Sequence, residues 1–493
     1  MKKMWMRAVL AVLAALMLAG CGKSEQALNG EAALKAILEQ VEFDTELSEV
    51  GSNAVLYFPD LPAGREIRLY TGSGYFADEA VLLTMPTEAD AARAEKVVEN
   101  HLKELRDQFR NYVPEEVGKI DSAVTVQSGR EILLCITNDV SGVQEILKGT
   151  SAEETPEESQ VLYETLGTLP ARTEPTAPAV RDEPGLQSKS GTYHDYGNGV
   201  IRVDSTAFER YGYSDGPAQA YADLINRAAA SLDGKTRVYD IVIPTAIGEV
   251  LPDDIASSFP GDTDQGSAIR KIHSKLSGDV IRVNPYENLR SHRDEYLYFH
   301  TDYHWNGRGA YYAYESFCEA KGVSPYTLSQ RREEDFTGFL GVLYWKHSGK
   351  DDVLKQNPDT VEAFHPYSPR ASMRYTDQKG QTYDWNIIFD VSTWDPASRY
   401  STFAGADNPY AEFDNPDVTD GSVAVVVKES YGNALLPYLV DHYSKIYELD
   451  YRYWEGDLAS FVKEKQADDL IFANNLSMIG SNFLIGKLAN IIR

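Results

Sequence analysis

The sequence predicts an α/β protein: a doubly wound, largely parallel sheet domain over residues 193–493, preceded by a small α+β domain over residues 21–150. Three observations carry that reading. Towards the C-terminus, short apolar runs alternate with amphipathic stretches, the pattern of a parallel sheet covered by helices on both faces. A proline- and glutamate-rich segment over 151–192 separates this part from one of different composition. The chain has 493 residues, 43% hydrophobic and 25% charged, so it can bury proper cores without disulfide staples.

Residues 1–20 carry Lys2, Lys3 and Arg7, then an apolar run from Ala8 to Ala19, and Leu18-Ala19-Gly20-Cys21 at the small-residue cleavage point. This is a secretory signal, too short for a spanning helix. A cysteine at that junction resembles the lipobox of bacterial lipoproteins. The resemblance implies a lipidated Cys21 as the mature N-terminus and a protein anchored in the lipid bilayer at the extracellular face of the bacterial cell membrane. The alternative is an ordinary signal peptide with an incidental cysteine. The remaining cysteines, Cys135 and Cys318, fall one in each candidate domain, so no disulfide framework is expected and both read as small buried residues.

In the first domain, Leu34, Ile37, Leu38 and Val41 have helical spacing, and 54–58 and 80–85 read as strands. The stretch 88–109 is amphipathic, with Ala94, Val98, Leu102, Leu105 and Phe109 on one face. Runs 123–126 and 131–137 form a hairpin. No nucleophile, metal cluster or phosphate loop stands out. Ala77-Asp78-Glu79-Ala80 and Asn111-Tyr112-Val113-Pro114 resemble a small lipoprotein-associated domain of unknown function over about residues 33–147, which implies no activity.

Residues 151–190 hold five prolines and eight acidic against three basic side chains, with little apolar periodicity. Such a stretch cannot offset its ordering entropy by burial, so it reads as a semi-extended tether. Beyond it, strands are expected at 238–243, 280–283, 423–427, 446–449 and 470–473, with helices at 217–231, 267–276, 433–443 and 456–465 and a last helix after them. In such sheets ligands sit at the carboxyl ends of strands.

Charge narrows the partners. The formal net charge of −28 repels nucleic acid, so no nucleic-acid partner is expected. No internal run of apolar residues is long enough for a membrane channel or transporter.

Two places could carry chemistry. Asp302 and His304 lie two residues apart in Thr301-Asp302-Tyr303-His304-Trp305, so a carboxylate can hold one imidazole nitrogen. Ser430 lies between the valine-rich strand and the next helix, the position of an exposed nucleophile beside N–H groups that can receive oxyanion charge. Two competing readings exist: an incidental Asp-X-His pair with a turn serine, and a metal site formed by His300, Asp302 and His304. Seven tyrosines between Tyr296 and Tyr326 read as core or as flat faces for sugar rings.

The run Tyr298 to Asn306, with Gly309-Ala310-Tyr311-Tyr312-Ala313-Tyr314, Ser430-Tyr431-Gly432-Asn433-Ala434, Pro437, His442-Tyr443 and Asp450-Tyr451-Arg452, resembles the DHHW protein family. The chain departs from the name-giving motif at Tyr303, where histidine is usual, and at Glu429, where aspartate is common. The family is similar to the SGNH-hydrolase-like domains of alginate O-acetylation proteins. That resemblance implies an SGNH-like fold and a surface-anchored acyltransferase or esterase acting on O-acylated envelope polysaccharide, with Ser430 as nucleophile, His304 as base and Asp302 as its orienter. Tyr431 and Asn433 are then candidates for the oxyanion and Arg452 for orienting substrate; no metal or cofactor is called for. The partner is an envelope polysaccharide or an acyl-carrying membrane partner. Two other readings keep the fold without catalysis: a glycan- or protein-binding envelope lipoprotein, and a structural lipoprotein that bridges surfaces.

Overall fold

The computed structural model describes residues 29–149 and 186–493, apart from residues 59, 73–75, 113–115 and 233. The signal segment, Cys21 and most of the expected tether therefore lie outside the described residues.

The N-terminal unit is a five-stranded antiparallel sheet in the order Ser48–Glu49, Glu66–Thr71, Glu79–Thr84, Glu131–Ile136, Val124–Ser128. Between their polar ends, Glu79–Thr84 and Glu131–Ile136 are apolar runs because both faces are covered, and alternate side chains serve alternate layers. Ala80, Leu82, Leu133 and Cys135 pack with Ala33, Leu34 and Ile37 of the helix Gly30–Gln40. Val81, Leu83, Ile132 and Leu134 pack with Ala91, Ala94, Val98 and Leu105 of the helix Glu88–Tyr112. The expected hairpin is present. The strand expected at 54–58 is instead a short helix, Ala54–Tyr57. An apolar run this short carries no periodicity of its own, and here Ala54 and Tyr57 point together into a core between the two units.

The larger unit is built on an eight-stranded sheet. Five strands are parallel: Val280–Val283, Arg237–Ile243, Asp469–Asn475, Val423–Lys428 and Lys445–Asp450. Three more, Tyr410–Asp414, Ser372–Thr376 and Thr382–Trp385, extend it antiparallel. The sheet is thus α/β with a mixed edge. Val425, Val427, Leu470 and Phe472 meet the helices Asp215–Ser231, Leu458–Glu464 and Asn482–Ile491 on one side. Ala424, Val426, Ile471 and Ala473 meet Gly307–Lys321 and Tyr431–Leu439 on the other. The tyrosines of the helix Gly307–Lys321 are core: Tyr311, Tyr312 and Tyr314 are all buried.

The two units are packed together. Helix Asn482–Ile491 lies against Ala54–Tyr57, with the Tyr57 and Phe483 rings edge to face at 6.0 Å and Asn53 Nδ2 donating to the Ala489 carbonyl at 3.0 Å. Residues 186–192, assigned from sequence to the tether, are fastened to the larger unit: Asp253 N–H donates to the Leu186 carbonyl, and Ser188 N–H to Asp254 Oδ1. A three-stranded meander, Tyr193–Asp195, Val200–Val203 and Thr206–Glu209, follows.

Candidate active site

Ser430 stands where the strand Val423–Lys428 ends and the helix Tyr431–Leu439 begins. That strand has parallel neighbours on both sides, so its carboxyl end opens into the middle of the sheet edge, where doubly wound folds place ligands. Gly432 lets the helix start this tightly, since a Cβ there would stand 2.5 Å from the Lys428 Cβ.

Asp302 and His304 come from a small hairpin. Tyr298 pairs with Trp305, and Phe299 N–H donates to the His304 carbonyl at 3.2 Å. The buried Asp359 carboxylate gathers the loop, accepting from His300 N–H at 2.7 Å, Thr301 N–H at 2.8 Å, the Thr301 hydroxyl at 2.5 Å and the Tyr296 hydroxyl. Trp305 Nε1–H donates to the Tyr431 carbonyl at 3.0 Å and so ties the hairpin to the serine helix. The tie brings residues 126 positions apart into contact.

The result is an unbroken relay. His304 Nε2 lies 2.7 Å from Ser430 Oγ, and His304 Nδ1 lies 2.6 Å from Asp302 Oδ1. Asp302 Oδ1 also accepts His304 N–H at 2.9 Å, and Oδ2 accepts Val342 N–H at 2.8 Å. Burial pushes the Asp302 carboxyl up, but the His304 ring and these N–H donors outweigh it and hold it below the ordinary aspartate value. It is therefore charged at neutral pH and fixes the tautomer with Nδ1–H towards Asp302 and Nε2 free to accept from Ser430.

Tyr303, the departure from the family motif, does not enter the relay. Its carbonyl accepts the Tyr431 hydroxyl, and its ring lies tilted beside His304 at 4.3 Å. The three residues weighed as a metal site diverge: His300 Nδ1 faces Asp359 at 3.6 Å while His304 faces Asp302 and Ser430. Among the described residues, the carboxylates Asp44, Asp78 and Glu116 do cluster with metal-like spacing. Lys119 Nζ already sits among them, 2.6, 3.0 and 2.7 Å away respectively.

The supporting groups expected from the sequence are placed differently. Tyr431 N–H donates to Glu429 Oε2 at 3.1 Å. The Asn433 amide lies between Lys428 Nζ at 2.6 Å and Asp407 Oδ1 at 2.9 Å. Arg452 is buried against Asp450 and Asp407. A sheet edge this rich in buried charge must pair its own groups first, which is why these side chains brace the site instead of lining it. Asp407 is held down to about 2: burial opposes, but Arg452 and Lys428 prevail.

Three residues, Tyr400, Gly341 and Val342, contribute with no sequence signal. Tyr400, from the turn of helix Pro396–Thr402, stacks on the His304 ring at 4.1 Å and 15° and donates its hydroxyl to the Ser430 carbonyl at 2.9 Å. Gly341 and Val342 present the backbone that holds Thr301 and Asp302. Glu429, read only as a family variant, lies 3.3 Å from Ser430 Oγ through Oε2, with Oε1 accepting Asn475 N–H at 3.1 Å. Burial pushes its carboxyl above the ordinary glutamate value.

The DHHW protein family matches residues 179–449, more than half of the chain and including all three relay residues. A DHHW family protein of Eubacterium siraeum is 28% identical and superposes with a TM-score of 0.54 over 60% of this chain and 97% of its own. Bacillus cereus PatB1 with a sulfonyl adduct is 18% identical over 57% of this chain and 95% of its own, with a TM-score of 0.48. The O-acetyltransferase domain of Pseudomonas putida AlgJ is 14% identical over 59% and 90%, with a TM-score of 0.29. No curated protein matches the chain significantly. The larger unit has the α/β fold with a largely parallel sheet expected from the sequence, and the chain belongs to the DHHW protein family.

Proposed function

We propose that the chain is an acyltransferase or esterase of SGNH type that acts on O-acylated envelope polysaccharide, with Ser430 as nucleophile, His304 as general base and acid, and Asp302 as the group that orients the ring. The observation that supports this reading is the relay itself: three polar groups of the right kinds, in hydrogen-bond sequence, at the carboxyl end of a central parallel strand. Ser430 Oγ attacks the acyl carbonyl as its proton passes to His304 Nε2, and the charged Asp302 stabilises the imidazolium. Collapse of the tetrahedral adduct returns that proton to the departing oxygen and leaves an acyl-serine. A sugar hydroxyl or water then takes the acyl group by the reverse steps. The lipid on Cys21 would hold this chemistry at the outer face of the membrane; among the described residues, no helix is long and apolar enough to cross one.

The test uses a fluorophosphonate probe and a chromogenic acetyl ester on the parent, Ser430→Ala and His304→Ala. The parent is expected to label and turn over. Ser430→Ala should lose labelling, and His304→Ala should fall by ~10³-fold or more. Labelling that persists in Ser430→Ala removes that residue from the role, and a parent inert to both reagents leaves the non-catalytic binding reading in its place. Release of the Cys21→Ala variant into the medium is the outcome expected of a lipid anchor; normal membrane retention would exclude it.

A further inference from the structure

Tyr400 touches both partners of the hydrogen bond on which the proposed reaction turns. Its ring lies face to face with the His304 ring, centroids 4.1 Å apart and planes 15° from parallel, and its hydroxyl donates to the Ser430 carbonyl at 2.9 Å. We propose that Tyr400 is a positioning residue that acts through the face of its ring: it keeps the His304 imidazole from tilting and stabilises the imidazolium that forms when Ser430 gives up its proton. The inference rests on the reading of Ser430 and His304 as nucleophile and base, and adds the group that supports the charged ring in a buried site.

The need for such a face follows from how the imidazole is held. Nδ1 faces Asp302 Oδ1 at 2.6 Å and Nε2 faces Ser430 Oγ at 2.7 Å. A ring nitrogen makes its hydrogen bonds in the plane of the ring, so these two contacts fix an axis through the imidazole and leave rocking about that axis to be stopped by packing. The Tyr400 ring covers one face and opposes that motion. Among the described residues, the rings of Tyr303 and Tyr431 also border His304, but they are tilted by 42° and 46°, at 4.3 and 5.1 Å. Tyr400 is itself braced: Phe299 and Phe403 meet its ring edge to face at 6.1 and 5.3 Å. The Leu340 N–H donates to the Pro396 carbonyl at 3.3 Å, tying the turn Pro396–Thr402 to the loop whose Gly341 and Val342 hold Thr301 and Asp302.

The reaction puts a full positive charge on the imidazole. As Ser430 Oγ bonds to the acyl carbon, the carbonyl π pair moves to its oxygen and the serine proton passes to Nε2, so a neutral ring becomes a cation at a residue only 6% exposed. A cation over the face of an aromatic ring and within about 6 Å of its centroid is attracted by the ring quadrupole, most strongly where water is excluded. Besides Tyr303 and Tyr431, the titratable groups that face His304 are carboxyls: Asp302 on its own hairpin, with Glu429, Asp407 and Glu209 within electrostatic reach from three other segments. Asp302 meets one edge of the ring, and Tyr400 lies along its face. Burial, reinforced by Glu429, Asp407 and Asp302, pushes the Tyr400 phenol well above its ordinary value. It therefore stays protonated, takes no part as a base, and presents the quadrupole of a neutral ring wherever the relay works.

Fluorination of the ring at position 400 isolates the quadrupole. Tyr400→Phe, and the same variant with one, two, three or five ring fluorines, keep nearly one shape while the negative face is withdrawn step by step. The protonation of His304 is read by NMR on the full chain carrying ring-labelled histidine, its signal identified by its loss in His304→Gln. Tyr400→Phe is expected to keep the parent's titration midpoint, and the midpoint to fall along the fluorine series by about 0.5–1.5 pH units in all. The acid limb of kcat/KM for a chromogenic acetyl ester should move to lower pH by the same amount, and its plateau should drop by about three- to tenfold. A midpoint that stays constant along the series, or that moves without regard to fluorine number, overturns the proposal. The titration needs no turnover, so the two readings fail separately: an inert parent whose midpoint still falls along the series refutes the reaction, and an active parent whose midpoint does not move refutes the stack.

Discussion

Substituting Gly341 by alanine tests whether Asp302 is held by geometry that tolerates no displacement. A Cβ at Gly341 would stand 2.2 Å from the Asp302 Cβ and 2.3 Å from its Oδ2. The clash is with the root of that side chain as well as its tip, so a rotamer change cannot relieve it. Asp302 is pinned on the far side by His304 Nδ1 at 2.6 Å, and the neighbouring backbone by Val342 N–H to Oδ2 at 2.8 Å and Gly341 N–H to Thr301 Oγ1 at 2.9 Å. Overpacking of a tight site costs about 1–3 kcal/mol, and a lost hydrogen bond to a charged group costs about 1.5–3 kcal/mol. Moving a positioning group by ~1 Å costs ~10²-fold in rate, and losing the histidine tautomer ~10⁴-fold. Turnover of a chromogenic acetyl ester should therefore fall between those bounds, and urea unfolding should show a stability loss of about 1–3 kcal/mol. Gly216→Ala is the control: its Cβ would meet nothing within 4 Å, and it lies within the helix Asp215–Ser231. Parental turnover and stability in Gly341→Ala would refute the claim that this backbone fixes the relay.

Glu429→Gln separates charge from shape beside the nucleophile. Burial raises the Glu429 carboxyl, so it is neutral to higher pH than a free glutamate; as pH climbs through that raised value, a carboxylate forms 3.3 Å from Ser430 Oγ, competes with His304 for the hydroxyl proton and repels the oxyanion. The parent's kcat/KM should drop by about tenfold on the alkaline side while Gln stays flat, and parental stability should also decline over that window because the folded state holds the proton longer; superimposable pH profiles would dismiss the idea. Lys487→Met addresses the seam between the units. Burial lowers the Lys487 ammonium from 10.5 to about 8, against the pull of Glu79 and Glu455, and its Nζ donates to the Gly72 carbonyl at 3.0 Å. Between those two values the unfolded chain keeps a proton that the folded one has released, so the parent's unfolding free energy should rise with pH across the window and the Met variant's should not. Urea titrations at several pH values read this directly, and a parent with no rise would show that Lys487 is solvated.

The parallel core was legible because fully covered strands write themselves as continuous apolar runs. Val423–Lys428 and Asp469–Asn475 have no polar face to confuse the pattern, and each is followed by an amphipathic stretch. The antiparallel edge was not legible: Ser372–Thr376 and Thr382–Trp385 are short and half exposed, and their tyrosines and threonines serve equally well in a loop. Ala54–Tyr57 failed for the opposite reason, since four apolar residues fit a buried strand as well as one turn of helix, and only the partner helix more than 400 residues away decides between them.

At the candidate site the same division recurs, and it explains why the relay could be read while its surroundings could not. Asp302 and His304 share one hairpin and Ser430 one strand-to-helix turn, so each half is a local pattern whose chemistry is visible in residue type and spacing. The groups that set their behaviour come from elsewhere in the chain and carry no local signature: Asp359 on a separate two-stranded ribbon, Tyr400 on a short 3₁₀ turn, Gly341 and Val342 in a connecting loop. Conversely Tyr431, Asn433 and Arg452 have the residue types of an oxyanion or substrate site, yet the buried carboxyl and ammonium groups of Glu429, Lys428, Asp407 and Asp450 claim them first. A polar group next to a nucleophile is available to substrate only if the low-dielectric interior around it is already electrically balanced. That balance is a property of the assembled sheet edge, to which three separate segments of the chain contribute charge through Lys428, Asp407 and Asp450, and it is where reading outward from a motif gives way to the three-dimensional arrangement.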